Sequence, residues 1–142
     1  MMGYSETPLA QKLGLVPGLQ MSVLHALKNY EQLVPTFYPA MSHKLGGTLD
    51  WVHAFYSSRQ SLEQELGTLK QHLAPAGQLW VSWPKKSSNV TSDLDENIVR
   101  ELGLAIGLVD VKVAAINNTW SGLKFVYRLI DRTETNRHSG RC

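Results

Sequence analysis

The run "LAPAGQLWVSWPKKSSN", Leu73 to Asn89, decides how this chain is read. Pro75 to Gly77 stops a helix, Gln78 to Trp83 is mostly apolar, and Pro84 then gives way to lysine, serine and asparagine. A short strand without polar alternation is buried on both faces, so it lies inside a sheet covered on both sides. The question it raises is whether Lys85-Lys86-Ser87-Ser88 is an anion-binding loop or an ordinary solvated connection.

Outward from this strand the pattern repeats. Before it, Ser58 caps a helix in which Leu62, Leu66, Leu69 and Leu73 fall at helical spacing. Before that helix, "LDWVHAFYS", Leu49 to Ser57, reads as a strand. After the loop, Thr91 or Ser92 caps a further helix. Its first turn carries Asp93, Asp95 and Glu96, where the helix dipole favours acids, and Gly107 ends it. Leu108 to Ile116 and Leu123 to Ile130 read as strands, and "NNTWSG" between them is too short for a crossover helix. They therefore form an antiparallel hairpin. Towards the N-terminus, Thr7-Pro8 opens a short helix stopped by Gly14, and Leu19 to Leu27 is a strand. A short helix follows at Tyr30 to Val34, and "MSHKL" is a possible short strand.

Strands alternating with helices predict an α/β fold, a mostly parallel Rossmann-like sheet with helices on both faces and a C-terminal antiparallel hairpin. The expected organisation is one domain over residues 1–131 and a disordered tail over 132–142.

The totals agree with such a domain. The 142 residues are 43% hydrophobic and 18% charged, with a formal net charge of +2. This mild excess does not suggest nucleic acid, which selects a clustered basic face. No apolar run reaches the roughly 18 residues of a membrane span. "MMGYSETPLAQKLG" has no basic region followed by an apolar core, so no secretory signal is expected. The single cysteine, Cys142, cannot form an intrachain disulfide, and a cytoplasmic location is expected.

Helix, "LAPAGQLWVSW", helix, strand, short loop, strand resembles the C-terminal half of the class I S-adenosylmethionine-dependent methyltransferase fold. In that fold a helix ends in a Pro-Gly turn before the fifth strand, and the sixth and seventh strands form a hairpin. The resemblance covers Leu49 to Ile130. It implies a glycine-rich turn after the first strand and an acid after the second, for the cofactor's ribose. Here no glycine stands between Gly18 and Gly46, and "MSHKL" has no acid. The chain between the first strand and Leu49 is also short for two helices and two strands. A second resemblance rests on "GYSETPLAQKLG", "LWVSWPKKSS" and "GLVDVKVAAINNTWSGLKFVYR". These motifs are similar to those of an uncharacterised bacterial family of small proteins, a resemblance that implies no activity, substrate or cofactor.

Ligands of open parallel sheets bind beyond the C-terminal strand ends. Three segments converge there: His25 to Asn29, Phe55 to Arg59 and Pro84 to Asn89. Lys85, Lys86, Ser87 and Ser88 are the densest candidate, offering charge and short donors to a small anion or nucleotide. Trp83 or Trp120 could stack on a base, and Lys124 follows Trp120 in the second candidate stretch. His25 and His53 read as hydrogen-bonded core or rim histidines, and no spacing of histidines suggests a metal. Glu31, Glu63, Glu65 and Glu101 read as solvated helix residues, and no nucleophile has a placed base. The expectation is a non-enzymatic binding or regulatory module without a cofactor, able to form a homodimer. The alternatives are an anion or nucleotide binder using the Lys85–Ser88 loop, and an atypical methyltransferase.

Overall fold

A computed structural model of the protein describes residues 8–132. The Thr7 cap, His138, Cys142 and the predicted tail beyond residue 132 lie outside them. The chain forms a five-stranded mixed sheet in the order β1-β2-β3-β5-β4. The strands are β1 (Met21–Leu24), β2 (Leu49–Phe55), β3 (Leu73–Pro84), β4 (Leu108–Ala115) and β5 (Trp120–Tyr127). The helices are α1 (Pro8–Lys12), α2 (Arg59–His72) and α3 (Glu96–Ala105). β1, β2 and β3 are mutually parallel, and β5 runs antiparallel to both β3 and β4. The α/β fold with its terminal hairpin is thus as the sequence predicts. Among the described residues no helix is long and apolar enough to cross a membrane.

Both faces of the sheet are covered. On one, Val52, Ala54, Val81, Leu123 and Phe125 pack with Leu62, Leu66 and Leu69 of α2 and Val99 of α3. On the other, Trp51, Phe55 and Trp80 pack with Ala10, Leu13, Tyr30, Val34 and Phe37. The covering on that side comes from α1 and two 3-10 turns, Tyr30–Gln32 and Tyr38–Ala40, instead of long helices. The indoles of Trp51 and Trp80 both donate to the Leu13 carbonyl, at 2.7 and 3.1 Å, and hold this layer on the sheet.

Several boundaries differ from the sequence reading, each for a local reason. β1 stops at Leu24 because His25 turns the backbone left-handed, with φ at 56°. "MSHKL" contributes a single parallel bridge, Ser22 to Ser42, in place of a strand. β3 begins directly at Leu73, so "APAG" is strand and not a helix stop. Asp95, not Thr91 or Ser92, caps α3, accepting from the Ile98 N–H at 2.8 Å. Asp93 instead accepts from the Arg59 N–H at 2.8 Å, adding a second cap to α2 beside that of Ser58. β5 starts at Trp120 because the Asn117 side chain accepts from the N–H groups of Thr119 and Trp120, both at 2.8 Å. The strand also ends early: residues 129–132 form a helical turn that leaves Leu129 and Ile130 exposed.

Doubly wound sheets run in the order 3-2-1-4-5-6, and their ligands lie where that order reverses. Here β1 has β2 on one flank and only the Ser42 bridge on the other. The reversal survives at β1, while the sheet beyond it is cut short.

Candidate functional site

At this reversal three side chains meet. His25 follows β1, Tyr56 follows β2, and Glu65 comes from the second turn of α2. The Tyr56 hydroxyl donates to Glu65 Oε1 at 2.6 Å. His25 Nε2 lies 2.9 Å from the same oxygen. The two rings also touch edge to face, with centroids 5.3 Å apart. Tyr56 is buried, and His25 and Glu65 are about half exposed, so the cluster sits on the rim of the sheet.

Burial, reinforced by the hydrogen bond to Glu65 and its charge, pushes the Tyr56 hydroxyl well up, so it stays protonated and donates. Burial alone would raise Glu65, but the hydrogen bonds from Tyr56 and His25 outweigh it. They hold its carboxyl below the ordinary value, and the group is ionised at neutral pH.

Two clefts share His25 and Glu65. One, of about 310 Å³, is lined besides them by Leu24, His43, Lys44, Leu45 and Thr68. The other, of about 200 Å³, is lined besides them by Phe55, Tyr56, Ser57, Ser58 and Ser61. Two of the three segments expected to converge, at His25 and at Phe55 to Arg59, therefore do so. Glu65 was the residue hidden from the sequence. It reads as a solvated helix acid, and only the approach of α2 to the end of β1 pairs it.

The third segment stands apart. A cleft of about 250 Å³ is lined by Pro84, Lys85, Lys86, Val90, Thr91, Ser92 and Leu94. The Lys85 ammonium donates to the Asn117 carbonyl at 2.9 Å, and Lys86 lies 3.8 Å from Asp95. Ser88 donates to the Lys85 carbonyl at 2.7 Å, which tightens the loop, while Ser87 is exposed. Trp83 is buried among the residues facing α2 and α3. Trp120 packs edge-on against Phe55, centroids 5.5 Å apart, and covers the opposite core. Both rings are thus occupied by the fold. Lys124 is placed mid-strand opposite Trp80, away from the loop. Burial, then repulsion from the cross-strand Lys112, lowers its pKa.

The histidines separate as core and rim. His53 is fully buried, 2.9 Å from the Tyr30 hydroxyl and 2.8 Å from that of Ser82. His25 and His53 do not meet, because His53 faces the Tyr30 side of the sheet and His25 reaches Glu65. Among the described residues no group of three or more histidines, cysteines and acids could hold a metal.

No family model matches the chain, and no curated protein matches it either. Solved structures do. A methyltransferase dependent on S-adenosylmethionine (SAM) from Aquifex aeolicus aligns with a TM-score of 0.60 at 12% identity, covering 82% of this chain and 86% of that one. Magnesium protoporphyrin IX methyltransferase from Synechocystis PCC 6803, with bound S-adenosylhomocysteine (SAH), aligns at 0.59 and 12% identity, covering 84% and 79%. A TehB-like SAM-dependent methyltransferase from Corynebacterium glutamicum gives 0.55 at 9% identity, covering 84% and 85%. At such identities the likeness is one of fold, and the fold is the methyltransferase Rossmann-like one. These neighbours correct the expectation of a non-enzymatic binding module: each is a methyltransferase, and one of them holds the product of its cofactor.

Proposed function

We propose that the protein is an atypical SAM-dependent methyltransferase whose cofactor site lies beyond the C-terminal ends of β1 and β2. The observation that carries this reading is the pair of clefts sharing His25 and Glu65 at the point where the strand order reverses. Its support is the fold of the methyltransferases that align with the chain.

The residues fit the cofactor through side chains. Glu65 Oε2 has no partner among the described residues, and a free carboxylate oxygen suits both hydroxyl donors and a sulfonium charge. Lys44, on the wall of the larger cleft, suits a carboxylate, and Leu24 and Leu45 offer apolar surface. The turn after β1 takes the left-handed conformation at His25 and Asn29, as glycines would, but it presents side chains there. A cofactor is therefore gripped by side chains and not pressed onto bare backbone, which is what makes the site atypical. When bound, SAM supplies an electrophilic methyl group. The chain's part is to hold it, to exclude water with Leu24 and Leu45, and to orient an acceptor in the smaller cleft. Membership of the small bacterial family belongs to the same proposal, since its motifs include the β3 end and the β4–β5 hairpin.

A thermal-shift titration tests the reading. SAH at about 100 times its dissociation constant adds roughly 2.7 kcal/mol of stability. The shift is expected with the wild-type protein and is reduced in Glu65→Gln.

A second reading has one observation of its own, the polar cleft beside Lys85 and Lys86. We propose it as a site for a small anion such as phosphate. Phosphate stabilisation that persists in Lys85→Ala/Lys86→Ala removes this reading.

A further inference from the structure

We propose that His25 accepts a proton from the acceptor molecule, and that this acceptor is a small neutral compound bearing a hydroxyl group. The inference rests on the methyl-transfer reading above and adds its substrate class.

An ionised carboxylate only accepts. Both neighbours of Glu65 Oε1 must then donate: the Tyr56 O–H at 2.6 Å and the His25 Nε2–H at 2.9 Å. A neutral imidazole carrying its hydrogen on Nε2 has a lone pair on Nδ1. Among the described residues Nδ1 has no partner.

The ring is also fixed in place. It is bonded to Glu65, packed edge-on against Tyr56, and carried on a backbone with φ at 56°. A residue other than glycine in that conformation costs on the order of 1 kcal/mol and persists where surrounding contacts hold it. Here those contacts are the ones that set the direction of Nδ1. Glu65 is thus a positioning residue, stabilising the imidazolium when it forms.

The smaller cleft describes the acceptor. Besides His25 and the Glu65 carboxylate, which repels anions, it is bounded by the serine hydroxyls of Ser57, Ser58 and Ser61 and the rings of Phe55 and Tyr56, with no lysine or arginine among the described residues. That lining suits a neutral molecule with an aromatic or apolar body. At about 200 Å³ the cleft is smaller than an ordinary drug-sized site, so the molecule is small. A hydroxyl keeps its proton at neutral pH and needs a base to become a good nucleophile. In the step proposed, the acceptor's O–H bond breaks and its proton joins the Nδ1 lone pair. The electron pair of that bond stays on oxygen, and the imidazolium faces the Glu65 carboxylate.

Phenol is the probe, and long-range ¹H–¹⁵N spectra of the His25 ring in the full chain are the readout. In the free protein the neutral ring is expected to carry its hydrogen on Nε2, with Nδ1 unprotonated. Phenol should shift the Nδ1 signal, and Glu65→Gln should lose both the tautomer preference and the shift. Tyr56→Phe keeps Glu65 and should retain them. His25→Ala should weaken phenol roughly tenfold, the worth of one hydrogen bond. Hydrogen on Nδ1, or phenol that leaves Nδ1 unmoved, overturns the inference. SAH is added separately and read at the His43 and Lys44 amides. A response there without the phenol effect overturns the base and leaves methyl transfer standing. The phenol effect without an SAH response keeps His25 as proton acceptor and removes methyl transfer.

Discussion

The indole of Trp51 donates to the main-chain carbonyl of Leu13 at 2.7 Å, across a separation of 38 residues. Trp80, on the neighbouring strand, donates to the same oxygen at 3.1 Å. One carbonyl at the end of α1 is thus bonded to two strands of the sheet, both of its acceptor positions filled and buried. Replacing one indole by phenylalanine removes one bond and leaves a cavity in a fully buried site, so Trp51→Phe or Trp80→Phe should each cost about 2–4 kcal/mol. The double variant strands a buried carbonyl and should cost more than the sum. Urea denaturation of the three variants measures the coupling.

Two glycines in helices should respond oppositely to alanine. A Cβ at Gly103 in α3 would overlap the ring of Phe125, a buried residue on β5. The helix and sheet approach so closely only because nothing is there, and Gly103→Ala should destabilise by about 1–3 kcal/mol or more. A Cβ at Gly67 in α2 would meet nothing within 4 Å. Gly67→Ala should stabilise by up to about 1 kcal/mol through helix propensity. Thermal denaturation of the pair tests the packing of both helices.

His53 gives the protein an acid-sensitive core. Burial pushes its pKa down to about 3, from an ordinary value of 6.5. The folded state holds it neutral between Tyr30 and Ser82, while the unfolded chain protonates it below 6.5. The unfolded state therefore binds more protons in this window, so stability is full above 6.5 and falls as the pH drops towards 3. Urea midpoints between pH 6.5 and 5 should decline in the wild type and stay nearly flat in His53→Gln. The His53 ring signals should not titrate over the same range in the folded protein.

Tyr56→Phe separates burial from hydrogen bonding at Glu65. It removes one of the two hydrogen bonds that hold the carboxyl down and leaves its burial, which acts upward. The Glu65 titration followed by carbon NMR should move up. No movement would mean that the Tyr56 bond is not made in solution.

Much of this fold is legible in the sequence, for reasons particular to each element. α2 announces itself by a serine cap and leucines at helical spacing, and both features are local. β3 is legible because a strand paired on both edges and covered on both faces is mostly apolar, with Gln78 and Ser82 as its exceptions. The α3 start is less legible: Ser92 bonds its own local turn at Leu94, which leaves the cap to Asp95. The hairpin is legible as a hairpin, but its register depends on an Asn117 side chain folding back on Thr119 and Trp120. The position of the candidate site, beyond the strand ends, follows from topology. Its chemistry does not. Glu65 is 40 residues from His25 in sequence, and no periodicity marks it apart from Glu63, which pairs with Arg59 on the same helix. The left-handed turn at His25 is equally hidden, since neither glycine nor asparagine announces it there.

The proposed cofactor site at the end of β1 and β2 grips its ligand with side chains in place of a glycine turn. Isothermal titration of SAH into the full chain measures that grip, with Glu65→Gln as the matched control. Saturable one-to-one binding is expected, weakened roughly tenfold by the substitution, since the lost group is a charged acceptor. Absence of binding at millimolar SAH, or binding that Glu65→Gln leaves unchanged, would contradict it.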